Sequence, residues 1–126
     1  LCAALLLCLL SGPALAGAPS SVVETLHATL LGLMKDADSL GYTGRVEKVA
    51  PVLDETFDFQ TIGRVVTGRY WKGLAAEKRE TFVGTFARLS AATYADNFDG
   101  YGGEAFKTLS EEVKKGAALV KTQIVK

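Results

Sequence analysis

Past position 8 the chain contains no cysteine: both, Cys2 and Cys8, fall in an opening segment, residues 1–18, that carries no charged side chain. The remainder therefore has no disulfide framework and no thiolate zinc site, and its stability must come from packing. Histidine is nearly as scarce, with His27 alone and no acidic cluster or glycine-rich loop beside it to orient it as a base or ligand. Phosphate-cradling GxGxxG and GxxxxGK loops are missing, as is a GxSxG elbow. An excess of either charge is missing too. The 14 basic and 14 acidic residues balance, which argues against a nucleic-acid partner, since phosphate binding needs a basic surplus or stripe. No catalytic residue, no metal and no cofactor is expected.

Long apolar runs are also lacking. Leu1 to Leu10 is too short to cross a hydrocarbon core needing about 20 residues, and Gly12-Pro13 breaks it ahead of the small-residue sites Ala14-Leu15-Ala16 and Ala16-Gly17-Ala18. This pattern predicts a secretory signal peptide over residues 1–18 whose basic start is not included. Leu7 stands before Cys8 where a lipoprotein needs a small residue, which argues against a lipid anchor. Export of a cysteine-free domain points to a Gram-negative periplasm. The 108 residues left after removing 18 from 126 suit one domain, 19–126, with one core.

What is present is helical periodicity followed by alternation. Val22, Val23, Leu26, Leu30, Leu33 and Met34 predict a first helix from Ser21, with Ser21 and Glu24 as a capping box, ending near Gly41. A second helix is expected over Arg45 to Phe57, kinked or divided at Pro51. A third runs from Phe59 to Thr67, with Asp58 as N-cap and Gly68 as its stop. The nearby Asp54 and Glu55 are read as part of the same helix-end chemistry.

The long helix Ala75 to Asn97 carries two stripes, one of Phe82, Phe86 and Leu89, the other of Val83, Tyr94 and, farther on, Phe98. The arc is wider than the ~100° of an ordinary surface helix, so the helix should be covered on two sides. Phe82, Phe86 and Leu89 are expected to face a sheet, with Trp71, Tyr94 and Phe98 nearer a cavity or its mouth. Beyond Gly102-Gly103 the period turns to two, predicting strands Phe106 to Lys114 and Ala117 to Lys126 joined at Lys115-Gly116. Ala118, Val120, Thr122 and Ile124 would then share a face. Because the last pattern stops without a turn, further strands are expected to be missing, leaving an open edge prone to association.

Aromatic mass is the strongest positive signal: six Phe, four Tyr and one Trp, all after Ala18. A plain filled core would account for it. The polar tips of Tyr70-Trp71, Tyr94 and Tyr101 suit the mouth of a cavity equally well.

The order Pro51-Val-Leu-Asp54, Phe57-Asp58-Phe59, Ile62-Gly63-Arg64-Val65-Val66-Thr67-Gly68-Arg69-Tyr70-Trp71, then Phe82, Phe86, Leu89, Tyr94 and Tyr101-Gly102, resembles the MlaC family of periplasmic phospholipid-binding proteins. That family is also called the toluene-tolerance family, and the sequence is similar as well to its hopanoid-associated HpnM branch. The likeness spans about Ser20 to Lys126; family members run longer at the C-terminus.

The resemblance implies an α+β fold, helices packed on a curved antiparallel sheet that encloses an apolar cavity. It implies a non-enzymatic carrier moving phospholipid, or a hopanoid-type lipid, between an outer-membrane lipoprotein complex and an inner-membrane ABC transporter with an MCE-domain subunit. The residues expected to bind lipid are Phe57, Ile62, Val66, Tyr70, Trp71, Phe82, Phe86, Tyr94 and Phe98. Two other classes compete. An isomerase or dehydratase on a cone-shaped fold would place Asp58 or Asp96 with Tyr94 inside an apolar pocket, where desolvation raises a carboxyl pKa. A structural envelope adaptor would have a filled core.

Overall fold

A computed structural model describes residues 18–126; the expected signal peptide, Ala18 excepted, lies outside the described residues. Four helices precede one hairpin: α1 (Pro19–Lys35), α2 (Ala37–Thr56), α3 (Phe59–Thr67), a 3₁₀ turn (Gly68–Gly73), α4 (Ala76–Asn97), β1 (Ala105–Lys114) and β2 (Ala117–Val125). The α+β class and the antiparallel pairing are as the sequence implies.

Helix α1 begins at Pro19, two residues before the expected start, because proline at the first helical position gives up an N–H that has no partner there anyway. The capping box does not form. Ser21 Oγ donates back to the Ala18 carbonyl (2.7 Å), while Glu24 Oε1 accepts from Thr108 Oγ1 (3.1 Å) across the molecule. The first-turn amide of Ser20 instead donates to Glu111 Oε2 at 2.8 Å, so a carboxylate from the sheet takes the capping role at the positive end of the helix.

The chain breaks at Asp36, earlier than Gly41, so that α2 can return against α1. Within α2 the backbone leaves helical values at Gly41 (φ 62°), which tolerates a left-handed conformation, and not at Pro51. Pro51 lies on an exposed face beside exposed Glu47, where water can satisfy the carbonyl that the missing N–H abandons. The kink expected at Pro51 thus does not form, and the interruption falls at Gly41, where the first helix is expected to end. Asp58 does cap α3, its Oδ1 accepting from the Thr61 amide at 2.9 Å, and Gly68 ends it.

The core gathers one stripe from each helix: Leu26, Leu30 and Leu33 of α1, Val49 and Leu53 of α2, Phe59 of α3 and Ala91 of α4. Helix α4 packs on both α2 and α3, which explains its two-sided arc. Its buried positions against the core are small, Ala91 and Ala95, and let the backbones approach. Arg45 locks that approach. Its Nε donates to the Ala95 carbonyl (2.8 Å) and its Nη1 to the Ala37 carbonyl (3.1 Å).

The strands pair antiparallel through the turn at Lys115 (φ 51°) and Gly116 (φ 78°), and Leu109 forms a bulge between Thr108 and Ser110. Phe106, Thr108, Glu111 and Val113 share a face with Ile124, Thr122, Val120 and Ala118, as the alternation in the second strand predicts. That face packs against α1, not α4. The expectation that Phe82, Phe86 and Leu89 face the sheet is therefore corrected: the two phenylalanines turn toward α3, and Leu89 is 60% exposed.

Candidate functional site

Packing α3 across α4, and α1 under the sheet, threads the aromatic residues into one continuous row. Starting on α4, Phe82 stacks on Phe86 (ring centroids 6.2 Å apart), and Phe86 meets Phe59 edge-on at 5.9 Å. Phe59 meets Phe57 at 5.8 Å, Phe57 meets Tyr94 at 6.2 Å, and Tyr94 stacks on Phe98 at 5.8 Å. Phe98 then reaches Phe106 of β1 at 6.3 Å, and Phe106 stacks on His27 of α1 at 4.5 Å and 15°. The row contains all six phenylalanines of the chain. These spacings lie within the range in which aromatic pairs attract beyond their burial. Only Phe59 is closed off; the other rings are half-buried.

Of the nine residues expected to bind lipid, the structure brings five together in this row: Phe57, Phe82, Phe86, Tyr94 and Phe98. Ile62 packs beside them against the core. Trp71 is held apart by Arg79, which donates from Nε to the Trp71 carbonyl (3.0 Å) and from Nη2 to the Lys72 carbonyl (3.1 Å), and sets its guanidinium 5.5 Å from the indole centre. Val66 and Tyr70 point outward, 63% and 66% exposed. Three members escaped the sequence reading. Phe59 looked like core, Phe106 like an ordinary strand residue, and His27 like a solvated or helix-packing residue. His27 packs its ring on Phe106 of the strand, and burial pushes its imidazole below the ordinary range while neighbouring Glu24 pulls the other way.

Two hollows border the row. At its sheet end a groove of about 530 Å³ runs between α1 and β1, lined by Glu24, His27, Ala28, Leu31, Ala105, Phe106 and Thr108. At its α3 end a hollow of about 590 Å³ is bordered by Phe57, Phe59, Val83 and Ala87, with Asp54, Asp58 and Arg88 at the rim. Both fall in the size range of small-molecule sites. They are open clefts, so the apolar enclosure expected from the sequence is, among the described residues, a wall with one side uncovered. Beyond the groove the same sheet face continues through Val113 (64% exposed) and Ile124 (49% exposed), apolar side chains left about half or more open among the described residues.

The alternative chemistry needs a carboxyl with a raised pKa. Asp58 has the opposite shift: hydrogen bonds from Thr61, with smaller help from Gln60 and Arg64, hold it below the usual carboxylate range. Asp96 is on the surface. Burial raises the Tyr94 hydroxyl, in keeping with a ring inside an apolar row and without a basic partner. Among the described residues no three His, Asp or Glu side chains are grouped to hold a metal ion, and no helix is long and apolar enough to cross a membrane.

No curated protein and no solved structure matches the chain significantly. The family model described as MlaC protein matches residues 24–126, a span that includes every ring of the row and both strands. The chain thus belongs to the MlaC family, and membership implies periplasmic phospholipid binding and transport, not catalysis.

Proposed function

We propose that the protein carries a phospholipid with its acyl chains laid in the groove between α1 and β1, against the aromatic row. The observation that supports this most directly is the row's end: Phe106 and His27 form the floor of an open groove, and the sheet's apolar face continues past it, open among the described residues. An acyl chain of some 16 carbons exposes about 0.8 kcal/mol per CH₂ to water, or roughly 13 kcal/mol per chain. Stacked Phe106 and His27, with the apolar sheet face beyond them, offer such a chain apolar contact in the groove, and rings cost little rotamer entropy in doing so. Half-buried rings beside open clefts suit this better than the filled core of a structural adaptor.

In this reading the leading segment 1–18 is removed on export, and the carrier passes lipid between an outer-membrane lipoprotein complex and an inner-membrane MCE-domain ABC transporter. The groove meets the row at Phe106 and His27; Phe98, Tyr94, Phe57, Phe86 and Phe82 carry the row on from there to the hollow at the α3 end, with Ile62 packed beside them. Trp71, pinned by Arg79, supports the turn that leads into α4.

The test is mass spectrometry of lipid extracted from protein purified from the cell envelope, beside an Ala28→Trp variant. Ala28 is an exposed lining residue of the groove, so the indole fills the cleft without disturbing the core. Phospholipid should accompany the parent protein, and the variant should lose about tenfold in occupancy, equivalent to ~1.4 kcal/mol. A lipid-free parent, or a variant that keeps its lipid, would sink the assignment. The extracted lipid also separates glycerophospholipid from hopanoid cargo, and with it the HpnM branch.

A further inference from the structure

The corner formed by the end of α3 and the following 3₁₀ turn is unlike the rest of the surface. Val66 lies on the same helical stripe as Phe59, Ile62 and Gly63, seven residues from the first, so its pattern is that of a core residue. Yet it is 63% exposed, because the stripe overhangs the edge of the packed layer. Beside it Val65 is 71% exposed and Tyr70 66% exposed. Three of the four most exposed large apolar side chains of the described residues thus fall within six positions.

The charges around them are of one sign. Arg64, Arg69 and Lys72 are exposed, and no acidic residue occurs between Asp58 and Glu77, although the whole chain is neutral. Among the described residues none of the three cations is in an ion pair. Arg69 lies 5.0 Å from the centre of the Tyr70 ring and donates to its hydroxyl at 3.0 Å, which stiffens the turn and holds the guanidinium beside the apolar surface.

We propose that this corner docks the protein on a bilayer surface rich in anionic phospholipid, with Val65, Val66 and Tyr70 entering the headgroup boundary and Arg64, Arg69 and Lys72 meeting the phosphates. Charge complementarity selects an anionic surface. The pairing of a shallow apolar insertion with a basic cluster is the two-signal arrangement that gives reversible attachment, and a tyrosine with an apolar body and polar tip suits that boundary. The inference deepens the carrier reading and rests on it. The same short helix that ends at the docking corner begins with Phe59 of the aromatic row, so attachment there brings the row toward the membrane.

The experiment is flotation of the exported protein with phosphatidylcholine vesicles, with and without phosphatidylglycerol, at low and high salt. The parent should float only with the anionic vesicles and be released by salt. Arg64→Gln/Arg69→Gln/Lys72→Gln should reduce partitioning about 100-fold, as three cations near a charged surface imply. Val65→Ser/Val66→Ser should reduce it about tenfold. Lys107→Gln/Lys115→Gln/Lys121→Gln, which removes equal charge from the hairpin, should leave partitioning unchanged, and thermal melts should show all variants folded.

Equal loss from the hairpin variant would overturn the proposal, since net charge and not this corner would then be responsible. So would a parent that ignores anionic vesicles, or one whose corner mediates self-association in sedimentation equilibrium in place of vesicle binding. Native mass spectrometry on the same samples separates the two readings. Lipid-loaded protein that does not float defeats docking alone, and protein that floats but never carries lipid defeats the carrier.

Discussion

The helical body and the hairpin are built from similar proportions of apolar residues and differ in what covers them. In the body, Leu33, Val49 and Leu53 are almost wholly removed from water, and every helix contributes to one cluster. In the hairpin, Leu109, Val113, Leu119 and Ile124 are all about half or more exposed, and Phe106 alone joins that cluster. A helix can bury its stripe against any neighbour within reach, whereas a two-stranded ribbon presents two faces and is marginal by itself. The body therefore holds the stability, and the hairpin supplies a wall.

The largest effect expected from this contrast is in paired truncations. Leu33→Ala should cost about 2–5 kcal/mol in denaturant unfolding, as a fully buried leucine does. Leu119→Ala, on the outer face of the hairpin, should fall within about 0.5 kcal/mol of the parent. Similar costs from both would show that the hairpin is as firmly packed as the helices.

Next in size is the junction. A double-mutant cycle on Phe98 and Phe106, each changed to Leu, should give a coupling of about 0.5–1.5 kcal/mol. Hydrogen exchange should quicken in β1 and β2 while α1 and α2 keep their protection. Zero coupling would mean that the ring row is a coincidence of packing and not a mechanical link between the two regions.

A smaller effect is expected in pH dependence at the other side of that junction. The His27 pKa is depressed in the fold, so the folded state binds fewer protons than the unfolded one. The associated stability is present above the unfolded value, about 6.5, and is lost as pH falls through the folded one. His27→Phe should flatten the melting temperature between about pH 7 and 5. An unchanged slope would place the titration elsewhere.

The smallest lies wholly in the body. The Asp58 carboxyl is also depressed, but by capping bonds on an exposed side chain. Its contribution is present above about pH 4 and lost as pH falls through the folded value. Asp58→Asn, which can still accept from the Thr61 amide, should lower the melting temperature slightly at neutral pH, and the deficit should shrink as pH falls below about 4 toward 3. A constant deficit down to that pH would mean that the carboxylate charge is irrelevant to the cap.

Much of the local structure was legible from residues alone. The third helix, its Asp58 cap, its Gly68 stop and the turn at Lys115-Gly116 are set by backbone preferences that act over four or five residues, so they survive any tertiary arrangement. The alternation that sorts Ala118, Val120, Thr122 and Ile124 onto one face is likewise intrinsic to a strand. The interruption at Gly41 lies where the first helix is expected to end, whereas the kink at Pro51 and the Ser21–Glu24 cap do not form. Those two signals are local, and tertiary hydrogen bonds that tie Glu24 to Thr108 and the Ser20 amide to Glu111 displaced the cap.

The functional surface divides the same way. Composition and spacing alone determined that the chain is charge-balanced, free of cysteine past position 8, and patterned as helices followed by alternating strands, because those properties depend only on which residues are present and at what period. Which rings touch was decided in three dimensions: the sheet settled on α1 and not on α4, and that choice joined Phe98, Phe106 and His27, residues far apart in the chain, into one row. Val66 shows the limit most plainly. Its periodicity marks it as core, but periodicity records only the direction in which a side chain points, and whether anything lies there to cover it is a property of the packed layers.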